Sequence, residues 1–150
     1  MSNWRKFRRL PAEEWAVFLA ALALLPAVRV GLRAFGLRRV QAVLGRRLQS
    51  GRLAESEGVL RRAQRTAHLV AVAARYAGGT CLARSIVLSC LLERQGVPAE
   101  LRIGVRKGEN GFEAHAWVEA AGLSINEGQD ARESYAPFDR NFALARVNWR

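Results

Sequence analysis

The sequence predicts an α+β protein, in which an N-terminal helical region precedes a cysteine-bearing helix packed on a small antiparallel sheet. Residues 12–75 are rich in Ala, Leu and Arg, which favour helices, and the glycine pair at 78–79 ends this helical pattern. Beyond residue 98 the apolar period changes from about 3.6 to about 2. With 150 residues, half of them hydrophobic, the chain is long enough to form one domain with its own core.

Proline and glycine predict how the N-terminal region divides into helices. Four helices are expected, the last of them the longest, at about residues 12–25, 27–35, 37–49 and 53–76. The run Trp15–Val28 holds 14 apolar residues, fewer than the roughly 18–20 that span a bilayer. We therefore interpret this run as a buried core helix, with peripheral membrane contact as the lesser alternative.

The next predicted helix covers Cys81–Gln95, with Thr80 suited to its N-cap and Gly96 to its C-terminal stop. Two segments of alternating polarity follow, AELRIGVRK and FEAHAWVEA, joined by the turn GENG. A second turn, AG, leads to LSINE. This order predicts a three-stranded antiparallel meander, with His115 and Trp117 on the same face of the second strand.

The two cysteines occupy chemically different positions on the predicted helix. Cys81 lies in the first turn, where unpaired amides and the helix dipole favour a thiolate and where an amide can donate to an oxyanion. Cys90 lies deeper and is expected to pack in the core. Nine residues apart, the two face opposite sides of the helix and cannot form a disulfide. Unpaired thiols suit a cytoplasmic location, and the absence of a Cys/His cluster predicts no metal and no cofactor.

A cysteine nucleophile requires a base and a group that orients the base. His115 is the predicted base, and Glu127 the predicted acid on the adjacent strand, with Asn126 as the alternative. Each residue alone is more often structural, so the hypothesis depends on the combination. The order of cysteine, histidine and acid is that of papain-like and transglutaminase-like hydrolases, which predicts a core of that kind. Supporting roles, in an oxyanion site or in the structure, are expected for Thr80, Arg84, Trp117 and Asn126.

Positive charge is concentrated in the N-terminal half of the chain. Residues 1–66 hold 14 Lys/Arg and 4 Asp/Glu, whereas residues 67–150 hold 10 and 9. Clusters such as Arg38–Arg39 and Arg46–Arg47 could bind a protein or peptide, an anionic membrane or nucleic acid, or could only face solvent. Because this half has no candidate catalytic residue, we interpret it as a docking surface.

Four sequence segments resemble one enzyme family. They are CLARS at 81–85, LLERQGVPAELRIGV at 91–105, FEAHAWVE at 112–119 and INE at 125–127. Together they resemble the leader peptidase of lasso-peptide biosynthesis, a transglutaminase-like cysteine protease, over about residues 75–138. That family usually has Asp after Asn, where this chain has Glu127.

Together with the helical pattern before residue 75, the resemblance predicts a single peptidase domain over residues 1–150: a helical basic part at 1–75, a catalytic core at 76–138 and a C-terminal tail at 139–150. It implies cleavage of a lasso-peptide precursor, with a separate leader-recognition protein and an ATP-dependent cyclase as partners. Nucleic acid is not expected among the partners. Two alternatives remain: a non-catalytic basic helical adaptor that binds an anionic partner, and a transglutaminase-like acyl transferase.

Overall fold

The computed structural model describes residues 11–44, 57–109, 111–127 and 135–137. Three helices come first: α1 at Ala12–Leu44, α2 at Glu57–Ala77 and α3 at Cys81–Arg94. Four strands follow: β1 at Glu100–Gly108, β2 at Gly111–Ala120, β3 at Leu123–Ser124 and β4 at Ala136–Pro137. The predicted α+β class is therefore confirmed. Part of the predicted 37–49 and 53–76 helices, Arg46–Arg47 and the 139–150 tail lie outside the described residues.

The predicted helix boundary at Pro26 is wrong, because α1 continues through that residue. Proline removes one helical hydrogen bond, but Leu25 and Val28 on either side are buried in the core and hold both turns in place. The predicted boundary between the 27–35 and 37–49 helices is observed at Gly36, whose φ of 76° and ψ of 169° are not helical. Residues 53–56 of the predicted last helix lie outside the described residues, so the predicted order of helix lengths stays a prediction.

Helix α3 is the centre of the fold. Every residue from Ser85 to Leu92 is buried, because α1 and α2 pack against one part of the helix and the sheet packs against another. Its predicted start is observed: the Thr80 hydroxyl accepts a hydrogen bond from the amide of Ala83 at 3.2 Å. A helix enclosed in this way cannot shift without disrupting the core, so its first turn is held rigidly.

The sheet has the order β3-β2-β1-β4, and all described pairs are antiparallel. The predicted meander corresponds to β1, β2 and β3, with β1 and β2 in register from Glu100↔Glu119 to Gly108↔Gly111. Ala121 and Gly122 both have positive φ and form the predicted tight turn after β2. The sequence did not predict β4, which pairs with β1 at Gly104 and Val105.

Candidate active site

Cys81 is the first residue of α3 and is partly accessible to solvent. Its amide is among those at the helix start that have no carbonyl partner one turn earlier, and they carry the positive end of the helix dipole. Cys90 is buried in the same helix, and that burial raises the pKa of its thiol. Neither cysteine forms a disulfide. Helix position and exposure therefore distinguish the two thiols as the sequence predicts.

The glycine pair before Cys81 allows α1 and α2 to approach the start of α3. Gly78 has a φ of +67°, and a Cβ built on it would lie 2.9 Å from the Arg29 guanidinium. That guanidinium donates a hydrogen bond to the Ala77 carbonyl at the end of α2, at 3.3 Å. A Cβ on Gly79 would lie 3.3 Å from both Arg84 and Leu25. A side chain at either glycine would push these neighbours away from the cysteine turn.

Glu127 lies between a cation of α3 and the histidine of β2. Its Oε1 is 3.5 Å from Nε2 of His115 and 3.8 Å from the Arg84 guanidinium. Both distances are ion-pair separations, longer than a closed hydrogen bond of about 2.9 Å. Because Nε2 of the imidazole faces the carboxylate, Nδ1 is the nitrogen left to interact with a thiol. Glu127 lies in a bend after β3 and not on the strand itself, which corrects the predicted position.

Asn126 connects the cysteine helix to the histidine strand. Its Oδ1 accepts from the Val118 amide at 2.8 Å, and its Nδ2 donates to the Ser85 hydroxyl at 3.0 Å. The Ser85 hydroxyl in turn donates to the Ala116 carbonyl at 2.9 Å. Ser85 is one turn after Cys81, and Ala116 follows His115, so this network holds the first turn of α3 against the middle of β2. Both ends of the Asn126 amide bind groups other than the imidazole.

Tyr135 is a component of the site that the sequence did not reveal. Its ring stacks on the His115 imidazole, with centroids 5.1 Å apart and an interplanar angle of 29°. On β1, the Arg106 guanidinium lies 4.7 Å from the centre of the same ring. A Cβ at Gly104 would lie 2.9 Å from both Tyr135 and the Trp117 ring. Glycine at 104 therefore leaves the space in which the tyrosine packs on the imidazole.

Trp117 shares the strand face of His115 but is 1% exposed, and its ring covers Gly104 of the neighbouring strand. Its indole N–H donates to the Glu119 carboxylate at 3.0 Å, and Arg102 contacts the same carboxylate. The tryptophan is tilted against Tyr135, with ring centroids 6.4 Å apart. Trp117 therefore supports the tyrosine, and Tyr135 is the ring that stacks on the imidazole.

The described residues contain no group of three or more His, Cys, Asp and Glu side chains placed to hold a metal ion. Within the same residues, the side chains that converge are those of Arg84, His115, Glu127 and Tyr135, next to the helix turn that carries Cys81. A thiol, an imidazole and a carboxylate are the components of covalent acyl chemistry.

Comparison with protein families gives a match that includes this whole group of residues. The family model of the transglutaminase-like superfamily matches residues 21–140, which include Cys81, His115, Glu127, all of α2 and α1 from residue 21 onward. No curated protein and no solved structure matches the chain. The superfamily includes cysteine proteases and transglutaminases, which both act through acyl chemistry. On the extent of this match, the chain belongs to the transglutaminase-like superfamily.

Proposed function

We propose that this chain is a cysteine peptidase that removes the leader from a lasso-peptide precursor. The observation that carries the proposal is the placement of Cys81 at the start of α3, tied by Ser85 and Asn126 to the strand that bears His115. A protease or an acyl transferase fits the family. The lasso-peptide substrate is supported by the resemblance of the four sequence segments between residues 81 and 127.

In the proposed reaction, Nδ1 of His115 takes the proton from the Cys81 thiol, and the sulfur attacks the last leader carbonyl. The Cys81 amide and one further donor stabilise the oxyanion. When the C–N bond breaks, His115 gives its proton to the leaving amine, and the leader remains as a thioester on Cys81. Water then attacks the thioester as His115 accepts its proton, which releases the leader acid and restores the thiol.

The residues around the imidazole have positioning roles in this proposal. Glu127 holds Nε2 and stabilises the positive charge that forms on the ring, while Tyr135 limits rotation of the ring. Arg84 restrains the same carboxylate oxygen from the helix. Thr80 and Asn126 act through the structure, the first by capping α3 and the second by joining α3 to β2.

The proposed partners are the precursor peptide, a separate leader-recognition protein and an ATP-dependent cyclase that closes the ring on the freed core amine. We propose a cytoplasmic location for the enzyme, where a catalytic thiol stays reduced.

The proposal is tested by incubating the purified chain with a lasso-peptide precursor and an added primary amine, with and without the recognition protein, in ¹⁸O-labelled water. We expect a core peptide with a free amine and a leader whose new carboxylate carries one heavy oxygen. A leader joined to an added amine, without the heavy oxygen, would identify an acyl transferase instead. No covalent change in the precursor with either mixture would favour the non-catalytic adaptor.

Replacing Glu127 with glutamine should preserve the fold and lower turnover by roughly 10²–10⁴-fold, because the amide cannot stabilise the imidazolium by charge. The measurement is kcat on the precursor, together with the unfolding midpoint in denaturant. Glu109→Gln is the matched control, since it neutralises an exposed turn carboxylate near the sheet. Wild-type kcat in Glu127→Gln would remove the acid from the proposed site, whereas a retained rate in Glu127→Asp is compatible with it.

A further inference from the structure

Helix α1 is apolar around its circumference from Trp15 to Val28, yet the rest of the described chain covers the helix only in part. The stretch Ala12–Val40 has the length and composition of a membrane-crossing helix, but only 22% of its apolar window is buried. Leu25 and Val28 contact the core, whereas Val30 is 66% exposed. A helix that is apolar on all sides is normally surrounded by apolar material, so the uncovered part of α1 is suited to a further contact.

Among the described residues, the exposed large apolar side chains of α1 are Leu19, Val30, Phe35 and Val43, and the last three lie within seven residues of the Gly36 break. The two arms of α1 meet there, since a Cβ on Gly31 would lie 3.1 Å from the Val40 side chain. An apolar groove of about 600 Å³ lies between the arms. Phe35 and Val43 line this groove and are 61% and 85% exposed.

The charges on α1 are of one sign beyond its first turn. Between Trp15 and Leu44 the helix carries four arginines and no Asp or Glu. Arg33, Arg38 and Arg39 are exposed, and none of them forms an ion pair with another residue that the structure describes. Within the part of the chain that the structure describes, the exposed apolar side chains are therefore accompanied by cations that no carboxylate pairs with.

This composition favours a lipid surface over a protein partner. From Trp15 to Val40 no side chain carries a carboxylate, an amide or a hydroxyl. A specific protein interface uses about one hydrogen bond per 100–200 Å², and this stretch offers only arginine and indole donors for it. Anionic headgroups need only cations, and the acyl boundary beneath them needs only apolar side chains.

We propose that the α1 bend surface, defined by Val30, Phe35 and Val43 with Arg33, Arg38 and Arg39, binds the surface of an anionic membrane. The arginines contact lipid phosphates, and the apolar side chains enter the boundary between headgroups and acyl chains. The contact is peripheral and holds the α1 bend at the membrane.

The test is co-sedimentation of the full chain with vesicles of one quarter phosphatidylglycerol and three quarters phosphatidylcholine, against vesicles of phosphatidylcholine alone. We expect binding to the anionic vesicles that weakens with salt. Two variants test the apolar and the basic parts of the surface separately. The serine variant is Phe35→Ser with Val43→Ser, and the arginine variant is Arg33→Gln with Arg38→Gln and Arg39→Gln. Each basic residue near an anionic surface contributes about fivefold, so the arginine variant should bind roughly 100-fold more weakly. The serine variant should bind at least about tenfold more weakly.

The matched control is Arg61→Gln with Arg62→Gln and Arg75→Gln, which removes the same charge from exposed positions of α2. This control should bind more tightly than the α1 arginine variant. Equal loss in both would mean that net charge alone drives binding, which overturns the α1 bend surface. No binding of the wild-type chain to anionic vesicles, or full binding by the serine variant, would also overturn it. A dimer that the serine variant alone disrupts would identify a second copy of the chain as the partner instead.

Discussion

Replacing Cys81 with alanine should lower precursor cleavage by roughly 10⁴-fold or more, because the reaction then has no nucleophile. Cys81 begins α3 at a partly exposed position, whereas Cys90 is buried and burial raises the pKa of its thiol. The measurement is the initial rate of leader release, followed by peptide mass, with the far-ultraviolet circular dichroism spectrum as the check on folding.

Cys90→Ala is the control for this prediction, since it removes the other thiol from the same helix. It should cleave at close to the wild-type rate, with a small loss of stability from the shortened core side chain. A folded Cys81→Ala protein that cleaves at the wild-type rate would show that Cys81 is not the nucleophile.

Replacing His115 with alanine should lower turnover by roughly 10³-fold or more, because the thiol loses its base and the leaving amine loses its acid. The imidazole faces Glu127 through Nε2 and stacks on Tyr135, so the variant also loses packing. The denaturant midpoint should therefore be measured with kcat, to separate a loss of folded protein from a loss of chemistry.

His68→Ala is the matched control, because His68 is exposed on α2. Its turnover should stay within about twofold of the wild type, since surface substitutions of this kind are nearly neutral. If the two histidine variants lose turnover equally, the proposed role of His115 as the base is wrong.

The local parts of the fold could be predicted from the sequence. The Thr80 cap, the start of α3 and the hairpin turns depend on residues a few positions apart, whose preferences are strong. Of the two helix boundaries predicted in α1, the one at Gly36 is observed, whereas the one at Pro26 is not, because packing of Leu25 and Val28 outweighs the helix-breaking tendency of proline. Tertiary packing of this kind is not visible in local composition.

Only the chemically distinctive residues of the candidate site could be predicted from the sequence. Cysteine and histidine are rare in this chain, and the order Cys81, His115, Glu127 is informative. The family match includes all three residues. Ser85 and Tyr135 could not be identified in the same way. The Ser85 hydroxyl bonds to Ala116, 31 positions away. Tyr135 comes close to His115 because the next two residues form β4, an edge strand that pairs with β1. Gly104 is paired with His115 on the neighbouring strand, and a glycine at that position is the sequence feature that could have indicated space for an aromatic ring beside the histidine.

The most direct test of the central claim is competitive labelling of the native chain with a limiting amount of iodoacetamide, mapped by peptide mass. The proposed mechanism requires a reactive thiol at Cys81 and an inert one at Cys90, with His115 as the activating base. It predicts that Cys81 is labelled first and that His115→Ala, but not His68→Ala, slows its labelling. Labelling of Cys90 before Cys81, or an unchanged rate at Cys81 in a folded His115→Ala protein, would contradict it.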